Sequence, residues 1–351
     1  MSRKLRTVVV GLGRIGWDYH VPMVRSHEGF DLVGVVDPSV ERLAEAKERF
    51  GTAGFADYLA ALTAAKPDLV VIASPTLFHA DQAIAAMERG MDVFCDKPIA
   101  GSLEETDRMI AAMRQTGRKL MVYQPHRTSA YTVAMLDLLS RKPIGPVYMM
   151  KRAVSAYVRR NDWQAFTKYG GGMLNNYGAH YLDQLLYVSQ DKPRRVSACL
   201  RAIATRGDAD DVVKVLVETE RGLILDLDIN MATSATLPSW IVMGQYGSIE
   251  FQEADKRFRV TYFDPAALPP MEASDTLAAQ GRKYPGEAIP WQEEFIPLSL
   301  YADRDFYLET YRYFALGQPP FVSVEETRRL MWLLGECRRE AGAVGRCPPG
   351  I

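Results

Sequence analysis

The 351-residue sequence has almost no net charge: 42 lysines and arginines face 43 aspartates and glutamates, for a formal charge of −1. That balance argues against a broad electrostatic footprint for nucleic acid or for an anionic membrane surface. A Lys/Arg-rich block of the kind seen in nucleic-acid arms is missing. Long hydrophobic runs are missing too. The basic start, Arg3, Lys4 and Arg6, leads into a short apolar run and then glycines. That run is too short for a signal-peptide core, and nothing approaches a membrane span. Cysteine is scarce. Cys95, Cys199, Cys337 and Cys347 form neither a C-x-x-C pair nor a Cys/His metal spacing, so no metal site is expected. They read as free thiols in a reducing compartment, which predicts a cytoplasmic protein. Internal repeats and low-complexity tracts are absent as well. The remaining composition is that of an ordinary globular protein, long enough for two domains.

The chain is organised around Val8–Gly16, VVVGLGRIG. Val8, Val9 and Val10 read as a short buried strand. Gly11, Gly13 and Gly16 follow at the G-x-G-x-x-G spacing. In that spacing the first glycine permits a tight turn, the second lets backbone approach a pyrophosphate, and the third allows close helix–strand packing. The following helix start offers free N–H groups to phosphates. Arg14 is placed to reach the pyrophosphate, with Ile15 beside it. A second apolar run ends in Asp37, 21 positions after Gly16, close to the expected ribose-binding carboxylate. The expected cofactor is therefore a dinucleotide, and NAD rather than NADP, because a carboxylate repels a 2′-phosphate.

Strand and helix alternate through the first third. Ser39 is expected to cap a helix ending at Phe50 before Gly51, and Ser102 with Glu105 makes a capping-box pattern before a helix ending at Gly117. This alternation predicts an α/β fold: a doubly wound parallel Rossmann sheet over residues 1–124. From residue 125 the pattern changes. Strand-like runs from Val196 to Phe263 follow one another with turn residues between them. They predict a C-terminal α/β domain over 125–351 with a large, open, mainly antiparallel sheet. The Pro-, Ala- and Gly-containing tract Asp264–Pro297 is expected to be a surface excursion, and two final helices close the chain.

Three stretches carry chemistry beyond scaffold. Ser74-Pro75-Thr76-Leu77-Phe78-His79 follows a parallel strand at its carboxyl end, where such sheets bind ligands. Ser74, Thr76 and His79 are candidate cofactor contacts there, and Thr76 is a candidate helix cap. Asp96-Lys97-Pro98 occupies the same end of a neighbouring strand, so Lys97 points into the crevice. The Lys97–Pro98 bond is expected to be cis. The third stretch is GGGMLNNYGAHYLD, residues 170–183, in which Asn176 and His180 are four apart on one helix face, with Asp183 on a neighbouring line. Histidine is suited to proton exchange near neutral pH.

Taken in order, GLGRIG, VVD, SPTLFH, DKP and GGGMLNNYGAHYLD resemble the glucose–fructose oxidoreductase/inositol dehydrogenase family, Gfo/Idh/MocA. The resemblance implies a substrate that is a sugar, a cyclitol or a derivative, lying between the domains. It implies that Asp96 and Lys97 meet the cofactor, that Lys97 polarises the reacting oxygen, and that His180 is the acid/base. It also implies a homo-oligomer, dimer or tetramer, paired through the open sheet. Gln124, Tyr157, Arg159, Trp163 and Asp183 are the expected substrate lining. One position departs from the family pattern: Asn176 stands where an aspartate is usual. Asn can orient the imidazole by a hydrogen bond but brings no charge. A charge pair about 4 Å apart is worth roughly 4 kcal/mol at an effective dielectric of 20. Within this resemblance two other activities remain open: a redox-neutral lyase or glycosidase that recycles its NAD, and a non-catalytic NAD-binding sensor.

Overall fold

The computed structural model describes residues 4–141, 143–273 and 286–346. The first sheet is built from β1 (Leu5–Val10), β2 (Phe30–Val36), β3 (Gly54–Phe55), β4 (Leu69–Ile72), β5 (Asp92–Asp96) and β6 (Leu120–Tyr123). All pairings are parallel, in the order β3-β2-β1-β4-β5-β6, the strand order of a dinucleotide-binding doubly wound sheet. Val8, Val9, Leu69, Val70, Val71 and Ile72 are fully buried, as strands covered on both faces must be. The crossover helices are α1 (Val21–Ser26), α2 (Val40–Phe50), α3 (Tyr58–Ala65), α4 (His79–Glu88) and α5 (Leu103–Thr116).

Local signals explain several helix ends. Ser39 caps α2 and Gly51 closes it in the left-handed conformation. Ser102 accepts from Glu105 N–H at the start of α5, but the Glu105 carboxylate reaches back to Gly101 N–H, so the capping box is only half formed. Thr76 does not cap α4 with its side chain; residues Thr76–Phe78 form a 3-10 turn instead.

The second sheet has nine strands: β7 (Val147–Ser155), β8 (Pro193–Ala202), β9 (Val212–Thr219), β10 (Ile224–Asn230), β11 (Trp240–Gly244), β12 (Gly247–Gln252), β13 (Arg257–Tyr262), β14 (Gln292–Pro297) and β15 (Gly345–Arg346). Six of its eight pairings are antiparallel; β7–β10 and β8–β15 are parallel. β14 lies within the tract expected to be a surface excursion. It is an edge strand, exposed except at Ile296, so burial periodicity could not reveal it. Residues 274–285 of that tract lie outside the described residues, as does Cys347. Cys95, Cys199 and Cys337 are free.

Helices α6 (Ala130–Ser140) and α7 (Ala179–Ser189) follow the first sheet, and α8 (Phe306–Phe314) and α9 (Val324–Ala341) end the chain. The last two return to the first sheet. Tyr307 on α8 is fully buried, and its hydroxyl lies 2.8 Å from His20 Nδ1. Phe306 stacks on Phe94 of β5 at 5.9 Å between centroids, and Lys119 donates to the carbonyls of Tyr313 and Phe314. Helix α9 packs both on β8 of the second sheet and on α5 and β6 of the first, and so joins the two.

Candidate active site

The carboxyl ends of β1, β4 and β5 form one side of the cleft. Gly11 adopts φ +91°, and a Cβ there would sit 2.7 Å from the Ala73 carbonyl oxygen. A Cβ on Gly16 would overlap the Gly11 carbonyl, whereas one on Gly13 would meet nothing within 4 Å. The turn is therefore closed behind Gly11 and Gly16 and open over Gly13, which fits a phosphate-bearing ligand. Arg14 and Ile15 follow at the helix start, whose first turn, Gly16–His20, is π-helical.

Asp37 lies at the end of β2, 3% exposed. Its Oδ2 accepts from Leu12 N–H at 2.8 Å and its Oδ1 from Ser39 N–H at 3.0 Å. Arg42 Nη1 lies 3.4 Å from the same carboxylate, a neighbour one helical turn along that the direct sequence context did not place there. Ser74 Oγ donates to Gln82 Oε1 at 2.6 Å. His79 does not face the crevice. It is buried, with Nδ1 3.0 Å from the Pro98 carbonyl and Nε2 2.8 Å from the Ser74 carbonyl. It ties the turn after β4 to the turn after β5, and both ring nitrogens are used in doing so.

Lys97 follows β5, and its bond to Pro98 is cis. Its Nζ crosses the cleft and donates to Asn176 at two atoms, the backbone carbonyl at 3.3 Å and Oδ1 at 3.4 Å. Burial lowers the Lys97 pKa, opposed by Asp96 and reinforced by Arg14. Burial raises Asp96 to about 6, against the pull of Lys97. Asn176 belongs to a second π-helical turn, Leu174–Gly178, that leads into α7. Such turns recur at functional sites. The Asn176 amide nitrogen donates to Gln164 Oε1 at 3.4 Å. The expected hydrogen bond from Asn176 to His180 is not formed, because Lys97 and Gln164 take both ends of the amide.

His180 stands instead against His126, with ring centroids 4.4 Å apart. His180 Nδ1 is buried without a hydrogen-bond partner. Burial lowers the His180 pKa well below that of a free imidazole, and Lys97 and His126 push the same way. His126 comes from the short turn after β6, a position no local pattern singles out.

The expected lining residues divide. Arg159 lines a cavity of about 370 Å³ with Asn161, Gln164, Tyr177 and Asp210. Tyr157 and Trp163 are exposed, 64% and 51%. Gln124 is buried, with Oε1 unpartnered. Asp183 does not line the cleft. Both its oxygens are taken by Arg127, at 2.8 Å from Nε and 2.7 Å from Nη2, and both side chains are buried. No helix among the described residues is long and apolar enough to cross a membrane, and no His/Cys/Asp/Glu group among them could hold a metal.

Two family models match the chain: the oxidoreductase family, NAD-binding Rossmann fold over residues 5–124, and the GFO/IDH/MocA C-terminal domain over residues 132–250. The D-glucoside 3-dehydrogenase of Escherichia coli is 29% identical over 191 residues, 53% of this chain, and the chain spans about half of that relative's length, 54%. The inositol 2-dehydrogenase of Pseudarthrobacter chlorophenolicus is 25% identical over 69% of this chain and 74% of its own. An NAD-binding protein from Listeria innocua superposes over 97% of both chains with a TM-score of 0.82 at 25% identity. The WlbA dehydrogenase from Bordetella pertussis, solved with NADH and UDP-GlcNAcA, shares the fold at a TM-score of 0.76 and 22% identity, over 97% of both chains. With family models matched over residues 5–124 and 132–250 and its strand order that of the dinucleotide-binding sheet, the chain belongs to the Gfo/Idh/MocA oxidoreductase family and carries that family's NAD-binding Rossmann domain.

Proposed function

We propose that the protein is an NAD-dependent dehydrogenase that moves a hydride between the nicotinamide and a secondary hydroxyl or ketone of a sugar, cyclitol or derivative. The observation that carries this reading is the meeting of Lys97 and Asn176 across the cleft, which brings the end of β5 against the helix of His180. In this reading residues 1–124 hold the cofactor and 125–351 supply the substrate site. Gly11, Gly13, Arg14, Ile15 and Gly16 cradle the pyrophosphate, Asp37 takes the ribose, and Ser74, Thr76 and Asp96 flank the nicotinamide end. Bound NAD supplies the hydride chemistry. Lys97 Nζ holds the reacting oxygen and stabilises negative charge on it. His180 exchanges the hydroxyl proton through Nε2, since Nδ1 is sealed. Its low pKa keeps it neutral at pH 7, ready to accept that proton. A screen of sugars, cyclitols and their acids for NADH appearance at 340 nm tests the reading. Absence of turnover with NAD still bound overturns it, and a product released without NADH points to internal recycling of the cofactor.

NAD should bind at least about tenfold more tightly than NADP, because the Asp37 carboxylate repels a 2′-phosphate. Asp37→Ala should narrow the gap and leave Arg42 free to meet that phosphate. Fluorescence titration with NADH and NADPH reads both effects, and tighter NADPH binding by the unaltered protein refutes the assignment.

The protein is further expected to be a cytoplasmic homo-oligomer, in keeping with its free cysteines. Helices α7 and α9 pack on one face of the second sheet. The pairing register places Leu216, Asp226, Lys151, Ile241, Glu250, Arg259 and Phe295 in one row across the other face. Mixed apolar residues and ion pairs across so wide a face suit a second copy. Sedimentation at micromolar concentration should show a dimer or tetramer; a monomer refutes the pairing.

A further inference from the structure

A buried charge lies beyond His126 that the chemistry at Lys97 and His180 does not use. A cavity of about 850 Å³ opens there, lined among others by His126, Tyr131, Arg152, Tyr181, Leu237 and Phe251. Its volume falls in the range of roughly 300–1,000 Å³ that encloses a small organic ligand. Arg152 projects from β7 and is only 7% exposed. Its Nε donates to Gln184 Oε1 at 2.9 Å and its Nη1 to the Ser239 carbonyl at 2.5 Å. The guanidinium also lies near two aromatic rings, 4.4 Å from the Tyr181 centroid and 4.9 Å from that of Trp240. Nη2 donates to no described residue, and no carboxylate among the described residues lies within ion-pair reach of Arg152.

The other buried arginine among the described residues behaves differently. Arg127 is matched by Asp183 and Glu326. The acidic residues that line the same cavity pair with other cations, Glu250 with Arg259 at 3.0 Å, Glu253 with Lys256 at 3.3 Å and Asp255 with Arg257 at 2.9 Å; Glu253 also raises the Arg152 pKa through its charge, from beyond ion-pair reach. Burial pushes Arg152 down to about 10, so it remains charged at neutral pH. Buried charges are ordinarily paired, because desolvation is costly. Here two neutral hydrogen bonds and two ring faces hold the cation, and Nη2 is left without an acceptor among the described residues.

The cavity adjoins the reacting centre. The His126 ring lies 4.4 Å from that of His180 and 5.3 Å from that of Tyr181, over which Arg152 sits. His126 is pushed down to about 4, by burial first and then by Arg152 and Lys97, so it stands neutral between the two cations.

We propose that this cavity is the subsite for an anionic substituent of the substrate, a carboxylate or a phosphate, with Arg152 as its partner. The free Nη2 offers either group a charge-assisted hydrogen bond. Tyr131, Tyr181 and Phe251 supply faces for the carbon skeleton that joins the anion to the reacting hydroxyl. Arg152 is thus the residue that sets specificity for acidic over neutral sugars. The inference rests on the dehydrogenase reading for where the ligand reacts, but not for whether the anion binds.

The test is calorimetry on the NADH-loaded protein with three matched probes: D-glucose, D-glucuronate and D-glucose 6-phosphate. At least one acid should bind about tenfold or more tightly than glucose, and the better of the two identifies the group. Arg152→Met should remove roughly 10- to 100-fold of that affinity, the scale of a charged hydrogen-bonded contact, and leave glucose unchanged. Equal affinity for all three probes, failure of both acids to bind, or an equal loss for all three in Arg152→Met overturns the proposal. Should that variant not fold, the ranking on the unaltered protein still decides, together with the salt dependence that only the acids should show. Because binding is read without turnover, acids that bind but yield no NADH count against the dehydrogenase reading and not against the subsite.

Discussion

His180→Ala is expected to lower kcat by about a hundredfold or more, the usual share of a positioned proton-transfer group, while NADH affinity stays within about twofold. The separation follows from the architecture: His180 begins the second sheet's helix α7, whereas the glycine turn and Asp37 belong to the first sheet. Stopped-flow turnover and NADH titration read the two quantities independently. The pH profile gives a sharper test. Burial, Lys97 and His126 all depress the His180 pKa, so the neutral, proton-accepting form persists well below pH 6.5 and the acidic limb should lie low. Asn176→Asp places a carboxylate on the atom that now meets Lys97 Nζ at 3.4 Å. That negative charge raises the His180 pKa directly and also offsets the repulsion from Lys97. The acidic limb should therefore move upward, and so should the alkaline limb if Lys97 controls it. An active His180→Ala enzyme removes the acid/base assignment. An unmoved profile in Asn176→Asp shows that position 176 only holds substrate.

Asp183→Ala is expected to cost about 3–5 kcal/mol of stability, the range for stripping one partner from a buried ion pair. Arg127 and Asp183 are almost fully buried, joined by two hydrogen bonds of 2.8 and 2.7 Å, and Glu326 supplies a third contact at 3.0 Å. Without Asp183 the guanidinium keeps only Glu326, which is part of the capping box that starts α9. The melting temperature should fall by roughly 6–20 °C on the scaling for domains of 150–250 residues. The double replacement Arg127→Met with Asp183→Leu should recover much of that loss, since it leaves no buried charge behind. A change of less than about one degree in Asp183→Ala would mean that the pair contributes nothing to stability.

The sequence by itself determined the parts of this protein that depend on near neighbours along the chain. The valines before Gly11 mark a strand buried on both faces, the glycine spacing marks the turn, and Ser39 with Gly51 bounds α2, because each signal acts within a few residues. Alternation of such signals sufficed for the parallel first sheet and the largely antiparallel second one. Periodicity says which face of an element is buried but not what covers it, and there the tertiary structure decided. Lys97 and Asn176 are 79 residues apart, Arg127 and Asp183 are 56 apart, and only the docking of α7 and α9 against the cleft brings each pair together. Asp183 and His79 carry residue types suited to an active site, yet folding sets the Asp183 oxygens against buried Arg127 and the His79 ring nitrogens against the carbonyls of Ser74 and Pro98. His126 and Arg152 sit in no recognisable spacing, and their importance arises from what surrounds them: an imidazole facing His180, and a buried guanidinium without a carboxylate. Desolvation gives those groups their altered chemistry, and desolvation is a property of packing in three dimensions, which no local stretch of sequence encodes.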